Sequence, residues 1–208
     1  MQEQPRIVDL FCGCGGFALG AHMAGLAVSV AVDKDTDLTS SFAKNFPKTE
    51  LLLTDVSELS GTVLSQKVGG RVDLVFGGPP CQAFSSIGRR DTDDPRRSLV
   101  GHFFRIVSEL NPRFFVMENV PGLGAGHAKP ILDDGLKSVR KNYSFVGPII
   151  LNAADFGAAT NRKRLFVIGS HKDEADPLRE EELEGLRCDP ASVRAAIGDL
   201  MSAKKLKD

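Results

Sequence analysis

The sequence predicts an α/β fold whose sheet is mostly parallel, with a reversed edge strand and helices on both faces. Short apolar runs alternate with stretches of helical spacing along most of the chain, as expected for strand–helix–strand units. Glycines and acidic residues follow several of these runs, as they do at strand ends in open sheets. The last two runs, Tyr143–Leu151 and Leu165–Ile168, have no helical stretch between them, which predicts an antiparallel pair.

Residue spacing places the individual elements. The predicted strands are Ile7–Phe11, Leu26–Val32, Glu50–Leu53, Val72–Phe76, Arg113–Met117, Tyr143–Leu151 and Leu165–Ile168. The predicted helices are Phe17–Ala24, Thr36–Phe46, Leu99–Leu110 and Lys129–Lys141. In the third helix apolar residues recur every three or four positions, which predicts a face turned to the core. The second helix is expected to end before Pro47, which cannot continue it.

Bulk composition is typical of a globular protein. The 208 residues are 42% hydrophobic and 25% charged, and the formal net charge of −1 favours no polyanionic partner by itself. No apolar stretch reaches membrane-spanning length and residues 1–6 lack a signal-peptide core, so we expect a cytoplasmic protein without membrane contact. The four cysteines fit neither a disulfide framework nor zinc spacing, and the histidines show no ligand spacing. We therefore expect reduced thiols and no metal.

Composition changes after Ser170, and we place a boundary there. Residues 1–170 hold the whole predicted sheet, and residues 171–208 are expected to form a charged linker. Within the linker, Arg179–Glu184 predicts a solvated helix or an extended connection, and Ala191–Leu200 predicts a short amphipathic helix.

A stiff loop, Gly77-Gly78-Pro79-Pro80-Cys81-Gln82, follows the fourth strand. Its two prolines restrict the backbone and fix the direction of Cys81. Because strand-end loops carry the chemistry of open α/β sheets, Cys81 is a candidate nucleophile; the alternative is a small buried hydrophobic residue. Glu118 follows the next predicted strand, so we expect its carboxyl group to emerge from the same edge.

Two further loops carry polar chemistry. Residues 12–16 form a glycine loop between the first strand and helix, which lets the backbone approach a nucleotide-like ligand, although its G-x-G-G spacing does not match the dinucleotide fingerprint. Asp33 ends the second strand and can accept hydrogen bonds from ribose; alternatively it is a solvated strand-end aspartate. Residues 82–97 are polar, basic and too long for an ordinary connection, which indicates a lid or a merely solvated loop.

Four separated stretches resemble, in order, the motifs of the DNA (cytosine-5)-methyltransferases: Asp9–Gly16, Pro80–Gln82, Glu118–Val120 and Arg162–Arg164. The resemblance extends to about Ile168. It implies an S-adenosylmethionine-dependent methyltransferase (Rossmann-like) sheet, S-adenosyl-L-methionine as cofactor, double-stranded DNA as substrate and a restriction–modification role. In this family a target-recognition region and a last motif follow the segment that resembles Ala191–Leu200. The resemblance therefore implies either one half of a split enzyme, completed by a second polypeptide, or a truncated product.

The resemblance also implies roles for single residues. Cys81 would be the nucleophile, Glu118 would bind the target base, and Arg162 and Arg164 would be active-site arginines. The cofactor pocket would comprise Phe11, Gly13, Gly15, Gly16, Asp33, Lys34, Asp55, Val56, Pro79 and Leu99, with Asp33 on the ribose and Asp55 on the adenine amino group. The loop residues expected to contact DNA are Gln82, Ser85, Arg89, Arg90, Arg96 and Arg97. Two positions depart from the family pattern: Thr160 replaces a usual glutamine, and Lys34 replaces an apolar or aromatic neighbour of the adenine.

These residue types suit methylation of cytosine at carbon 5. Addition of a thiolate at carbon 6 converts the unreactive ring into an enamine, and a protonated carboxyl group neutralises the charge that develops on ring nitrogen 3. The base must leave the duplex for this to happen. Two alternatives stay open at this point: an inactive remnant that binds cofactor or a partner, and an RNA cytosine methyltransferase.

Overall fold

The computed structural model describes residues 4–80 and 98–202. Within them, seven strands form one sheet in the order β3-β2-β1-β4-β5-β7-β6. The strands are β1 (Ile7–Leu10), β2 (Val30–Asp33), β3 (Glu50–Leu53), β4 (Leu74–Gly77), β5 (Phe114–Asn119), β6 (Tyr143–Asn152) and β7 (Lys163–His171). The helices are α1 (Gly16–Met23), α2 (Phe42–Asn45), α3 (Gly61–Val68), α4 (Ser98–Leu110), α5 (Lys129–Val139), α6 (Glu180–Glu184) and α7 (Val193–Ile197).

Strand direction confirms the predicted fold class. Strands β1 to β5 run parallel to one another, and β7 pairs antiparallel with both β5 and β6. The reversed strand is therefore β7, which lies one position inside the edge, and β6 forms the edge itself. The ten-residue β6 and nine-residue β7 fold back on each other after one connection, so β7 inserts beside β5.

Two apolar clusters cover the two faces of the sheet, because successive strand residues point to opposite sides. In β1, Val8 and Leu10 pack with α3, α4 and α5, whereas Ile7 packs with α1 and α2. The first cluster contains an aromatic group in which Phe103, Phe104 and Phe115 meet edge to face. No helix among residues 4–80 and 98–202 is long and apolar enough to cross a membrane.

Several local predictions differ from the structure, and three of them bear on packing or on the site. The helix expected at Thr36–Phe46 is helical only in α2, because the Asp35 carboxylate accepts hydrogen bonds from the backbone of Asp37 and Leu38 and holds this stretch in turns. Helix α3 was not predicted at all. Strand β5 continues beyond Met117, so Glu118 and the residue after it lie within the strand, paired with β7.

Helix α3 does carry a sequence signal. The Ser60 hydroxyl accepts a hydrogen bond from the backbone N–H of Val63 at 3.3 Å, and Gly69 ends the helix with φ of 74°. Helix α3 lies so close to α4 that a Cβ atom at Gly61 would stand 2.7 Å from the Glu109 Cβ. This contact requires glycine at the first helical position, where glycine otherwise argues against a helix.

Candidate active site

The candidate site lies at the carboxyl ends of β1, β2, β3, β4 and β5, where parallel strands deliver their following loops to one edge. Gly77 of β4 pairs with Met117 of β5, so the next residues along both strands are neighbours. A Cβ atom built on Gly78 would stand 3.0 Å from the Glu118 Oε2. The predicted adjacency of the Gly77–Gln82 loop and Glu118 is therefore confirmed for the described part of that loop.

The start of this loop is held tightly. A Cβ atom at Gly77 would lie 2.4 Å from the Leu10 carbonyl oxygen, so the close approach of β4 to β1 requires glycine. The buried Asn119 side chain donates from Nδ2 to the Pro79 carbonyl at 2.9 Å, and its Oδ1 accepts from the Val120 N–H at 2.8 Å. Sequence reasoning did not assign Asn119 this role, although it stands inside the Glu118–Val120 motif.

An acidic cavity of about 310 Å³ opens beside this loop. It is lined by Phe11, Gly13, Asp33, Lys34, Asp35, Leu38, Thr54, Asp55, Val56, Gly78, Pro80 and Leu99. Seven of the ten residues that the resemblance assigned to the cofactor pocket lie in this lining. Of the other three, Gly16 lines a neighbouring cleft and Gly15 packs against Phe46. The Pro79 carbonyl accepts a hydrogen bond from Asn119, and Pro80 rather than Pro79 borders the cavity.

Asp33 joins two loops at the cavity wall. Its Oδ2 accepts from the Gly13 N–H and its Oδ1 from the Asp35 N–H, both at 2.9 Å. Phe11 and Gly13 have left-handed backbones, with φ of 62° and 51°. Among the described residues, leaving aside Gly13 and its two chain neighbours, no atom lies within 4 Å of the place where a Gly13 Cβ would stand, so the bare backbone faces the cavity there.

Asp55, which follows the neighbouring strand β3, lines the same cavity. Its Oδ1 accepts from the Ser57 N–H at 2.9 Å, and its Oδ2 pairs with the Lys34 Nζ at 2.7 Å. The hydrogen bond from Lys34, followed by that from the Ser57 backbone, lowers the pKa of Asp55 to about 2. The carboxylate is therefore ionised at neutral pH.

A second cavity, the Glu118 cleft, has a volume of about 660 Å³. Its lining includes Phe11 and Gly78, which it shares with the acidic cavity, together with Glu118, Arg162 and Arg164. Arg164 Nε pairs with Glu118 Oε1 at 2.9 Å. Burial raises the pKa of Glu118, and the charges of Arg164 and Arg162 oppose that rise. The carboxyl group is thus held between a protonated state favoured by burial and an ionised state favoured by the two arginines.

The far wall of the Glu118 cleft comes from the region predicted as a charged linker. Leu183 and Leu186 line the cleft next to Phe156. The segment is fastened there by Arg187, which pairs with Asp155 and Glu184 and lies over the Phe156 ring at 5.5 Å. Sequence reasoning missed this contribution; the two leucines between charged residues were the available signal.

The remaining site assignments lie outside the described residues or concern thiols and metals. Cys81 and the proposed DNA-contacting residues lie outside the described ranges; these are Gln82, Ser85, Arg89, Arg90, Arg96 and Arg97. In the described part of the chain, no three His, Cys, Asp or Glu side chains group closely enough to hold a metal ion. Cys12 is buried in the core, and Cys14 and Cys188 are exposed thiols.

Comparison with known proteins identifies the family. The sequence profile of the family described as C-5 cytosine-specific DNA methylase matches residues 5–208. The chain belongs to this family. The methylase M.XorII of Xanthomonas oryzae pv. oryzae, named a type II methyltransferase, is 37% identical over 210 residues, which cover 99% of this chain and 48% of M.XorII. M.AquIA of Picosynechococcus sp., also named a type II methyltransferase, is 38% identical over 179 residues, which cover 80% of this chain and 72% of M.AquIA.

A solved methylase structure shares the fold. It belongs to a candidate DNA modification methyltransferase encoded within a prophage (E. coli), with a TM-score of 0.83 and 35% identity. The match covers 99% of this methylase chain and 57% of the prophage protein. The chain thus spans about half the length of relatives such as M.XorII.

Proposed function

We propose that this chain is the catalytic part of a DNA cytosine-5 methyltransferase. It would transfer a methyl group from S-adenosylmethionine to carbon 5 of a flipped-out cytosine in double-stranded DNA, through a covalent adduct with Cys81. The observation that carries the proposal is the Glu118–Arg164 pair, which lies against Gly78 at the start of the loop that leads to Cys81. A carboxyl group and a guanidinium group placed together in one cleft are suited to grip the polar edge of a pyrimidine.

The acidic cavity fits S-adenosylmethionine. Apolar side chains of Phe11, Val56 and Leu99 offer a surface for a flat base, while Asp33 and Asp55 offer acceptors for hydroxyl and amino groups. The bare backbone at Gly13 leaves room for close approach. Bound there, the cofactor supplies a methyl group activated by a positive sulfur. Because Phe11 and Gly78 line both cavities, the bound cofactor and the target base would meet at these two residues.

The proposed chemistry depends on groups of this chain. The Cys81 thiolate adds to carbon 6 and raises the electron density at carbon 5. Glu118, whose pKa is raised by burial, contacts ring nitrogen 3 and the exocyclic amine, and in its protonated form it neutralises the developing charge. Arg162 and Arg164 orient this carboxyl group and the carbonyl side of the ring. Once carbon 5 carries the methyl group, a base takes the proton from carbon 5, the electron pair of that C–H bond restores the C5–C6 double bond, and Cys81 leaves as the thiolate.

We further propose that another polypeptide segment completes the enzyme and supplies target recognition. On the α1 side of the sheet, β5 and β7 leave Phe114, Val116, Phe166 and Ile168 only half-buried, whereas α4 and α5 cover the opposite side. Next to this area, Leu19 and Met23 on the outer side of α1 are 53% and 80% exposed. Sheets of this class are normally covered on both faces, and exposed apolar patches of this kind mark interfaces.

The occupant we infer is the part of the relatives that this chain does not span. We name the surface formed by Leu19, Met23, Phe114, Val116, Phe166 and Ile168 the open face. The missing half of a protein such as M.XorII is large enough to cover it and to add a DNA-reading surface. Direct readout of bases requires such a surface with several contacting side chains.

Covalent trapping tests the proposed reaction. Duplex DNA in which cytosine is replaced by 5-fluorocytosine is incubated with S-adenosylmethionine, this chain and the part of M.XorII that the chain does not span. We expect an adduct of protein and DNA by mass spectrometry, because fluorine at carbon 5 cannot leave as a proton does. Cys81→Ser should abolish the adduct, and the matched control Cys188→Ser, which alters an exposed thiol, should retain it.

The same experiment separates catalysis from binding alone. If calorimetry shows S-adenosylmethionine binding but no adduct forms with the complementing half present, the chain is a binding remnant and the proposed reaction is wrong. An adduct that persists in Cys81→Ser would contradict the assignment of the nucleophile. An adduct with RNA and none with DNA would contradict the proposed substrate.

A further inference from the structure

The Lys34–Asp55 ion pair lies in the lining of the acidic cavity. Lys34 follows β2 and Asp55 follows β3, so the parallel pairing of these strands brings the two side chains together. The ammonium group stands 2.7 Å from Asp55 Oδ2. Lys34 thus occupies an acceptor atom that the proposed function assigns to the adenine amino group.

Lys34 is not needed to orient Asp55. The Asp55 Oδ1 already accepts the Ser57 N–H at the start of the short 3₁₀ turn Val56–Glu58, which fixes the plane of the carboxylate from within its own loop. At neutral pH a carboxylate in this position is ionised without the lysine. Removal of Lys34 would therefore leave Asp55 in place with Oδ2 free.

Lys34 is also free to move. Its side chain is 64% exposed, against 24% for Asp55, so the ammonium can swing into water while the carboxylate stays in the wall. Exposed ion pairs are worth a factor of about two to five in an equilibrium constant. A ligand amino group that displaces Lys34 from Asp55 therefore binds more weakly by this factor than it would to a free carboxylate.

We propose that Lys34 competes with the cofactor: its ammonium occupies the Asp55 oxygen that receives the adenine amino group, and it must leave when the cofactor binds. This inference rests on the proposed function and adds to it a residue that sets cofactor affinity. Lys34 weakens binding of adenosyl compounds relative to a neutral side chain of the same length. It also makes their affinity rise with ionic strength, because salt weakens the competing pair.

Calorimetry with S-adenosylhomocysteine tests the competition. Lys34→Met keeps the length and apolar stem of the side chain and removes its charge. We expect binding to tighten by about two- to fivefold at low salt. We also expect the gain to shrink at high salt, where the wild-type pair is already weakened. Lys67→Met is the matched control, because it removes another exposed ion pair, Lys67–Glu50 at 2.6 Å, outside the cavity lining.

An analogue without the amino group locates the effect. The analogue of S-adenosylhomocysteine in which purine replaces adenine carries a hydrogen atom on carbon 6 in place of the amine and has no N–H on its six-membered ring, so it cannot donate to Asp55. The gain from Lys34→Met should be absent for this analogue, and it should also be absent in an Asp55→Asn background. Equal gains for both ligands would show that Lys34 acts through shape, and the inference would be wrong.

The outcomes separate this inference from the proposed function. Binding that is unchanged or weaker in Lys34→Met overturns the competition and leaves the cofactor assignment standing. If wild type and all variants fail to bind S-adenosylhomocysteine and S-adenosylmethionine, the cofactor assignment is wrong, and the inference falls with it.

Discussion

At the scale of single residues, Asp9 carries a carboxyl group whose burial is costly. It lies on β1, has no solvent exposure, and neither carboxyl oxygen has a hydrogen-bond partner among the described residues. Burial, followed by the charge of Asp33, raises its pKa well above the ordinary value. An ionised carboxylate in this position would be strongly destabilising, so burial favours the protonated form of Asp9.

Asp9→Asn should remove a pH dependence of stability. A folded-state pKa above the unfolded one means that the native state binds the extra proton, so wild-type stability falls as pH rises from about 4 towards the raised folded pKa. Asparagine has no such proton. We therefore expect the free energy of unfolding of the variant, relative to wild type, to increase with pH in urea titrations.

The matched control for Asp9 is Asp173→Asn, which changes an exposed aspartate. It should leave the difference from wild type constant over the same pH range. A constant difference for Asp9→Asn as well would show that Asp9 titrates normally in the folded state.

Local motifs mark candidate site residues in the sequence, whereas contacts created by strand pairing could not be predicted from it. Glu118, Arg162 and Arg164, which come from two separate motifs, line one cleft. The Lys34–Asp55 pair depends on β2 lying beside β3, which a linear sequence does not specify. The complete burial of Asp9 could not be predicted either. Both faces of β1 are covered, so the strand lacks the alternation of apolar and polar residues that would show which side faces water.

At the scale of elements, one side chain connects β5 to the loop after β4. Asn119 ends β5, and its amide reaches the Pro79 carbonyl at 2.9 Å in a buried position. The following Pro80 lines the acidic cavity, and Cys81 comes next in the sequence. Asn119 is therefore a positioning residue in the proposed enzyme, acting through the loop.

Asn119→Ala should lower stability by about 1–3 kcal/mol, because it leaves the Pro79 carbonyl buried without its partner. It should also slow adduct formation with 5-fluorocytosine DNA, while the affinity for S-adenosylhomocysteine changes less. The control Asn142→Ala removes an exposed side-chain hydrogen bond to Asn111 and should affect neither the rate nor the affinity. Equal losses of rate in the two variants would argue against a positioning role.

Element prediction succeeded where periodicity was strong and failed where packing overrode propensity. Helix α4 and strand β3 lie within one residue of their predicted bounds, because an apolar stripe and an apolar run mark them clearly. Helix α3 starts at a glycine that only the close contact with α4 explains. Helix α6 looked like a solvated segment, yet Arg187 fastens the adjoining chain against Asp155 and Phe156.

At the scale of the whole molecule, the sheet is asymmetric. Its β3-β2-β1-β4 half has helices on both faces. Among the described residues, the β5-β7-β6 half packs on α4 and α5 on one face, and on the other it meets the segment that carries Leu183 and Leu186. The open face adjoins the Glu118 cleft, which Phe166 helps to line. A segment that docks on the open face would therefore cover apolar surface and approach the site at the same time.

Charge on the open face should block docking of the complementing half. Leu19→Lys and Met23→Lys place charges on the exposed side of α1 without touching the core, so the chain should keep its stability. Affinity for the part of M.XorII that the chain does not span should fall about tenfold or more in the double variant, since a buried unpaired charge is costly at an interface.

The matched control is Ile150→Lys on β6, whose side chain is 56% exposed. Ile150 pairs with Leu165, which belongs to the apolar cluster on the α4 and α5 side of the sheet, so this charge lies away from the open face. Size-exclusion and titration measurements should therefore separate the two: full complex formation for Ile150→Lys and little for the α1 variant. If the α1 variant binds as tightly as the control, the open face is not the docking surface, and the second segment must reach the site from another side.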